Sequence, residues 1–239
     1  MPQAPYAGVS VLMPAYRLEA TIADNIDRVA AVVGSWDDSE IIVIDDGSPD
    51  DTRGFAEKAA ARSDLVSVVG YATNRGKGGA LKEGFQYATG ETIVFLDSDL
   101  DLPPEQLPQF LDAFYSAGVD ALVGAKRSAM VAGRYPMLRK LLSLAFAALN
   151  GLLLRLPVRE NQTGLKAFRR SALEETLPKL DTERYAFDLE LLVRIRKAGG
   201  TMTEAPVSLA PGSSSGLSLA TLWEMGRDTL KIWLRSISW

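Results

Sequence analysis

Along the first half of the chain, apolar residues come in short bursts separated by polar segments. "VSVLMP" (Val9 to Pro14), Ile41 to Ile44 within "EIIVIDDGSPDDT", "DLVSVVGY" and "ETIVFL" have the length and β-branched content of buried strands. Ala20 to Val33, Thr52 to Ala61 and the glycine-opened "KGGALKEGFQYA" read as helices, and another helix starts near Pro104. Asp50 or Asp51 can cap the second of these. Strands alternating with helices predict an α/β domain with a mostly parallel sheet. Such sheets take ligands outside the carboxyl ends of their strands. Three polar clusters fall at such ends: Tyr16 to Glu19, Asp45 to Ser48, and Asp97 to Asp101. They are expected to meet in one crevice.

The pattern changes in the second half. "PMLRKLLSLAFAALNGLLLRLP" is a helix candidate, centred on 137–156, that is apolar nearly all round. Arg139, Ser143 and Asn150 fall on one narrow stripe of it, at i, i+4 and i+11. "LATLWEMGRDTLKIWLRSISW" is amphipathic, with Leu219, Leu222, Gly226, Leu230, Trp233 and Ile237 on one face. Glu224, Arg227, Asp228, Lys231 and Arg235 make the other. The expected organisation is therefore one domain over 1–218, including the 137–156 helix, followed by an amphipathic helix over 219–239.

Composition narrows the chemistry. The 239 residues include no cysteine and no histidine. That excludes disulfides, thiolate zinc sites, cysteine nucleophiles, the Ser-His-Asp triad and any imidazole base. Carboxylates, Lys, Arg, hydroxyls and a hard metal remain. The net charge of −4 conceals an asymmetry: Ala121 to Arg159 holds seven basic residues and no acidic one. An anionic partner is expected there, with a solvated basic face as the alternative. The start, "MPQAPYAGVS", is read as carrying no signal peptide, and no run reaches the ~18 apolar residues of a membrane span.

Three motifs carry candidate chemistry. In extended chain, Asp97, Asp99 and Asp101 point one way, unless the chain turns at Leu100. Mg²⁺ and Mn²⁺ are held by one or two carboxylates plus phosphate oxygens, so D-x-D at a strand end suits a metal that clamps a diphosphate. A capped turn before the next helix is the alternative. "NRGKGGA" (Asn74 to Ala80) opens a helix with glycines, which lets backbone N–H groups approach phosphate, or serves packing alone. Asp45 and Asp46 in "IVIDDGSPD" can accept from a nucleobase or ribose, or form an N-cap and Asx turn.

The order "VSVLMPAY", "EIIVIDDGSPDDT", "NRGKGGALKEGF" and "VFLDSDLDLPPEQL" resembles family 2 glycosyltransferases of the GT-A fold. The later "GAKR", "RKLLS", "QTGLKAFRR" and "AFDLELL" are similar to the branch that glycosylates polyprenyl and dolichyl phosphates. The resemblance covers Val9 to Pro206. It implies that the Pro14 to Glu19 segment, with Tyr16 and Glu19, and the Asp45–Asp46 pair hold the nucleoside. The Gly76 to Gly79 segment, with Lys77, lies beside the nucleotide. Asp97 touches the nucleotide sugar, Asp99 is the principal ligand of Mg²⁺ or Mn²⁺, and Asp101 is a second. Lys126 or Arg127, with Arg139 and Ser143, binds the lipid phosphate. Gln162, Lys166 and Asp188 line the sugar or phosphate side, Asp188 having the alternative of a helix N-terminal residue. One departure stands out: the family pattern P-x-Y-N-E is replaced by Pro14-Ala15-Tyr16-Arg17-Leu18-Glu19, which puts Glu19 one position late.

The resemblance further implies inverting transfer of a hexose or hexosamine from a sugar nucleotide, with a lean to UDP, onto a polyprenyl phosphate. Arg139 and the metal act in catalysis, and Asp188 faces the reaction. The work is done peripherally at the cytoplasmic face of a membrane, with a small integral-membrane partner and no nucleic acid. Two alternatives remain: transfer to a soluble or glycan hydroxyl, with Asp188 or Glu190 as base, and a non-catalytic sugar-nucleotide-binding protein. For the C-terminal helix, with Trp223, Trp233 and Trp239, the choice is between membrane contact and packing back on the sheet.

Overall fold

A computed structural model of the chain describes residues 6–126, 154, 156–158, 160, 162–182, 186–211, 219–237 and 239. Its strands are β1 (Val9–Ala15), β2 (Glu40–Asp46), β3 (Val66–Tyr71), β4 (Thr92–Leu96), β5 (Ala121–Ala125), β6 (Leu165–Arg169) and β7 (Met202–Pro206). They form one seven-stranded sheet in the order β3-β2-β1-β4-β6-β5-β7. The helices are α1 (Ile22–Val33), α2 (Thr52–Ala60), α3 (Lys77–Phe85), α4 (Leu107–Ala117), α5 (Arg170–Thr176), α6 (Phe187–Lys197) and α7 (Leu219–Ser236). A 3₁₀ turn at Pro104–Gln106 precedes α4. The α/β class, the four early strands and the alternating helices are as the apolar pattern predicts.

β6 alone runs against its neighbours, antiparallel to both β4 and β5. Every other pairing is parallel. The start of β6 therefore arrives at the edge where the other strands end: Leu165 pairs with Leu96, and Asp97 N–H donates to Gly164 O at 3.0 Å. "QTGLKAF" is delivered to the candidate crevice by that reversal.

Both sheet faces are covered, which is why the strands read as continuous apolar runs. Val9, Val11, Met13 and Ala15 pack on one side with α1, α2 and α4. Leu12, Ile42, Ile44, Ile93 and Phe95 pack on the other with α3, α5, α6 and Ile232 of α7. α3 lies so close to the sheet that a Cβ on Gly84 would stand 2.6 Å from Ile44 Cδ1.

Of the expected 137–156 helix, only Leu154 and Leu156 are described, and both are buried. Arg127, Arg139 and Ser143 lie outside the described residues. α7 packs back on the body; of the residues of the expected apolar face whose side chains are described, Trp233 packs on the core while Leu230 and Ile237 do not. Thr229, Ile232 and Ser236 are buried, and Trp233 and Trp239 pack against the core. Lys197 Nζ donates to Ser236 O at 2.6 Å, and the Arg194 guanidinium lies 3.8 Å over the Trp239 ring. Leu230 and Ile237, assigned to the apolar face, are 49% and 66% exposed, and Leu234 is 55% exposed. The reason is local: α6 offers α7 cations and carbonyl-seeking groups, so the helix docks through its C-terminal carbonyl and Trp edge.

Gly84→Val is expected to cost about 1–3 kcal/mol through overpacking against Ile44 and Leu12, read as a lower midpoint in denaturant at unchanged slope.

Candidate active site

The carboxyl ends of β1, β2 and β4 and the first turn of α3 enclose a cleft of ≈ 230 Å³. Pro14, Ala15, Tyr16, Leu18, Asp46, Lys77, Asp97, Ser98 and Asp99 line it. The predicted convergence of the polar clusters is real, but the side chains divide into those on the wall and those behind it.

At the end of β1, Arg17 turns left-handed with φ 57°, a conformation that costs an L-residue about 1–2 kcal/mol. It is tied down by Arg17 N–H to Ser48 Oγ (3.1 Å) and Leu18 N–H to Thr52 Oγ1 (2.7 Å). Tyr16 is left exposed on the wall, with the Arg17 guanidinium 5.3 Å from its ring centre. Glu19 points elsewhere: its Oε2 accepts from Asp51 N–H at 3.1 Å, at the start of α2. The residue inserted before Glu19 thus converts it from an expected wall residue into a helix-entry contact.

At the end of β2, Asp46 builds the next loop. Its carboxylate accepts from Tyr71 OH (2.7 Å), Asn74 Nδ2 (2.8 Å), Arg75 N–H (2.8 Å) and Gly76 N–H (2.9 Å). Burial, then the bond to Asp46, holds the Tyr71 phenol well above its usual range. Asp45 accepts only the longer Ser48 N–H contact, at 3.3 Å, and keeps acceptor capacity. Gly47, at φ 64°, has no room for a side chain: a Cβ would meet Asn74 N at 2.7 Å.

At the end of β4, the chain does turn at Leu100, which is left-handed at φ 51° and buried at 3% exposure. The apolar core holds this side chain, and with it the strained turn. Asp101 N–H bonds back to Asp99 Oδ1 at 3.2 Å. Asp97 and Asp99 consequently reach the wall, whereas Asp101 does not line the cleft. A Cβ on Gly164 would overlap the Asp97 carboxylate, so that glycine makes room for the aspartate. Ser98, between the two, is buried with no partner for Oγ, and its carbonyl accepts from Asn25 Nδ2 at 2.8 Å. Asn25 carries no motif signal in the sequence, and Ser98 none beyond its place in the Asp97 to Asp101 cluster.

Charge is distributed unevenly over this edge. Lys77 Nζ lies 2.5 Å from Asp97 Oδ1 and 3.9 Å from Asp188 Oδ2. Burial opposes its charge, but Asp97, Asp188 and Asp99 outweigh that and hold it above the usual lysine range. Lys166 is not on the wall: it is 1% exposed, bonded to Thr163 O (2.6 Å) and Asp188 Oδ1 (2.9 Å). Burial is the first cause that pulls its pKa down. Asp188 opens α6, as the helix-terminus reading has it, and both of its oxygens face ammonium groups. Glu190 is fully buried and accepts from Asp181 N–H, Thr182 N–H, Thr182 Oγ1 and Arg194 Nε. Lys126 follows β5 at the same edge, with Gln162 before β6, both half-buried. Burial first, and Glu204 as well, raises the Glu160 carboxyl, while Lys126 and Lys166 act against the rise.

Among the described residues, Asp99 has no ion pair and accepts a single backbone N–H, whereas Asp46 accepts four neutral donors. Burial pushes its pKa up, and Asp97 and Asp101 add to the rise; the Asp101 N–H and Lys77 oppose it. Among the described residues, no group of three carboxylates converges into a closed metal cage. A hard divalent ion that draws its remaining ligands from phosphate and water fits this arrangement. Asp99 would hold it.

A family model described as "Glycosyl transferase family 2" matches residues 10–177. The chain is 31% identical to "Glycosyltransferase AglD" of Haloferax volcanii, over 94% of this chain but 37% of that protein's length. It is 30% identical to the "Dolichyl-phosphate beta-glucosyltransferase" of Drosophila melanogaster, over 97% of this chain and 76% of the relative. Glucosyl-3-phosphoglycerate synthase from Mycobacterium tuberculosis, solved with Mn²⁺, UDP and glucosyl-3-phosphoglycerate, superposes with a TM-score of 0.69. That likeness, at 24% identity over 95% of this chain and 79% of the other, is one of fold. The family match spans β1 to the end of α5 and includes every residue that lines the cleft, and the chain belongs to glycosyltransferase family 2.

Proposed function

We propose that the protein transfers a hexose or hexosamine from a nucleoside-diphosphate sugar, UDP being the favoured carrier, to a polyprenyl phosphate, with inversion at the anomeric carbon. The observation that carries this reading is the state of the two candidate bases. A hydroxyl acceptor needs a group to take its proton. Asp188 is clasped between Lys166 and Lys77, and Glu190 is saturated by four donors in the interior. A phosphate monoester, with a second pKa near ~6, arrives largely as a dianion and needs no base. The name of the Drosophila relative, a dolichyl-phosphate glucosyltransferase, supports the same acceptor class.

In this reading the donor lies across the cleft, with its nucleoside against Tyr16, Asp45 standing buried behind the wall, and its diphosphate toward Asp99 and the start of α3. Mg²⁺ or Mn²⁺, when bound, supplies Lewis-acid stabilisation of the departing diphosphate; the Mn²⁺ and UDP of the mycobacterial neighbour support both choices. Asp97, braced by Gly164 and Lys77, positions the sugar-bearing ribose side. The acceptor phosphate oxygen forms its bond to the anomeric carbon as the bond to the diphosphate breaks. Lys126 and Gln162, at the β5 and β6 edge, take the acceptor side; the same role is proposed for Arg127, Arg139 and Ser143, which lie outside the described residues. Asp188 acts through the lysines as a positioning residue.

A polyprenyl acceptor brings the enzyme to a bilayer. No helix among the described residues is long and apolar enough to cross one. Peripheral attachment, on the cytoplasmic face and with a small integral-membrane partner, completes the proposal. The outer face of α7 suits it better than the tryptophans do. Leu230, Leu234 and Ile237 form an exposed stripe at i, i+4 and i+7, beside Arg227, Lys231 and Arg235 at i, i+4 and i+8. Apolar and cationic stripes side by side match an anionic lipid surface.

Asp99→Asn is expected to abolish Mn²⁺-dependent transfer with the melting curve unchanged; substantial activity at saturating Mn²⁺ would remove Asp99 as the metal seat. In an acceptor panel, a short polyprenyl phosphate is expected to be glycosylated while its free alcohol and simple sugars are not. Comparable turnover on a hydroxyl acceptor would reverse the choice of function. Exchanging Leu230, Leu234 and Ile237 together for Ser is expected to release the protein from anionic liposomes in a sedimentation assay. Stability is expected to stay within about 0.5 kcal/mol per site, as these are exposed positions.

A further inference from the structure

Lys77 is the sole cation among the described residues that line the cleft, yet its ammonium is not offered to a ligand. It is held against Asp97 at 2.5 Å, with Asp188 at 3.9 Å and Asp99 close enough to favour its charge. The other ammonium of the cluster, Lys166, is sealed away against Asp188 and Thr163 O. Lys77 is different in being 29% exposed on its side chain. It is the first residue of α3, a nine-residue helix entered through Gly76 at φ 90°, whose N-terminus has no side-chain cap. Uncapped N–H groups and a lysine thus stand together at the mouth of the cleft, and the lysine is turned back onto the carboxylates.

We propose that Lys77 is a transferable counter-ion: it pairs with Asp97 and partly offsets the charge of nearby Asp99 while the cleft is empty, and passes to the donor's diphosphate when a divalent ion seats at Asp99. This rests on the reading of the cleft as a sugar-nucleotide site. The compact charge on a flexible four-carbon stem can swing between the two anions without movement of α3. Burial disfavours its charge, but the surrounding carboxylates more than compensate and keep it protonated against Asp97. Two consequences follow from charge alone. A free divalent ion must compete with the ammonium and binds weakly. A diphosphate draws the ammonium away, so the ion and the nucleotide favour each other's binding, reciprocally.

The test compares wild type with Lys77→Met, using Mn²⁺ alone, followed by electron paramagnetic resonance of the free ion, and UDP alone, followed by calorimetry without metal. Removing a unit charge a few ångströms from the ion is worth about tenfold or more. Lys77→Met is therefore expected to bind Mn²⁺ at least about tenfold more tightly and UDP at least about tenfold more weakly. The opposite signs are diagnostic, because a variant that merely loosens the wall weakens both. Equal or weaker Mn²⁺ binding in the variant, with Mn²⁺·UDP binding intact, overturns the inference and leaves the donor reading standing. Failure of wild type to bind Mn²⁺·UDP at all removes both. Should Lys77→Met not fold, the wild-type lysine ¹⁵Nζ resonance, assigned by its absence in Lys77→Arg, decides: Mg²⁺·UDP is expected to shift it, and an unmoved signal overturns the inference.

Discussion

Repulsion between carboxylates gathered at one sheet edge is the constraint around which this molecule is arranged. Asp46, Asp97, Asp99 and Asp188 all reach that edge, and each is balanced differently. Asp46 is absorbed by N–H and O–H donors of the following loop, and in accepting them shapes the approach to α3. Asp188 is neutralised from behind by a buried lysine and from the front by Lys77. Asp97 takes the near contact of Lys77. Asp99 receives a backbone N–H and little else. Of the four, Asp99 is the least compensated, so an external cation would relieve the repulsion most by binding there.

The backbone supports that distribution at some cost. Arg17 and Leu100 are left-handed at the ends of β1 and β4, both within the cleft's own loops. Such residues persist where surrounding structure over-determines them: Ser48 and Thr52 fix the first, and the buried Leu100 side chain fixes the second. The reversed strand β6 adds what no parallel strand could. It enters the sheet at the working edge, so Gly164 can back Asp97 while Lys166, one turn of the pleat further in, reaches Asp188.

The same charges bear on the choice of acceptor in a family 2 glycosyltransferase. Asp188, held between two ammonium groups, acts as a spacer that fixes Lys77, and Lys77 in turn holds Asp97. An acceptor that arrives already ionised suits an edge organised in this way. α7, docked on α6 through Trp233, Trp239 and Ser236, leaves Leu230, Leu234 and Ile237 outward.

The order of elements, the parallel character of the sheet and the meeting of three polar clusters were legible in the chain, because burial on both faces writes continuous apolar runs and because ligand edges follow from strand direction. The motif residues Asp97 and Asp99 were legible for the same reason: they sit where a strand must end. Which carboxylates face the cleft was not. Asp101 is carried off the wall by one left-handed residue, Glu19 by one inserted residue, and Lys166 by the reversal of a strand that local pattern does not distinguish from its neighbours. The role of Lys77 rests on distances to residues 20 and 111 positions away in the sequence. The outward face of α7 turned on a similar point: periodicity shows that a helix has two faces, and only the partner it docks against decides which of them stays in water.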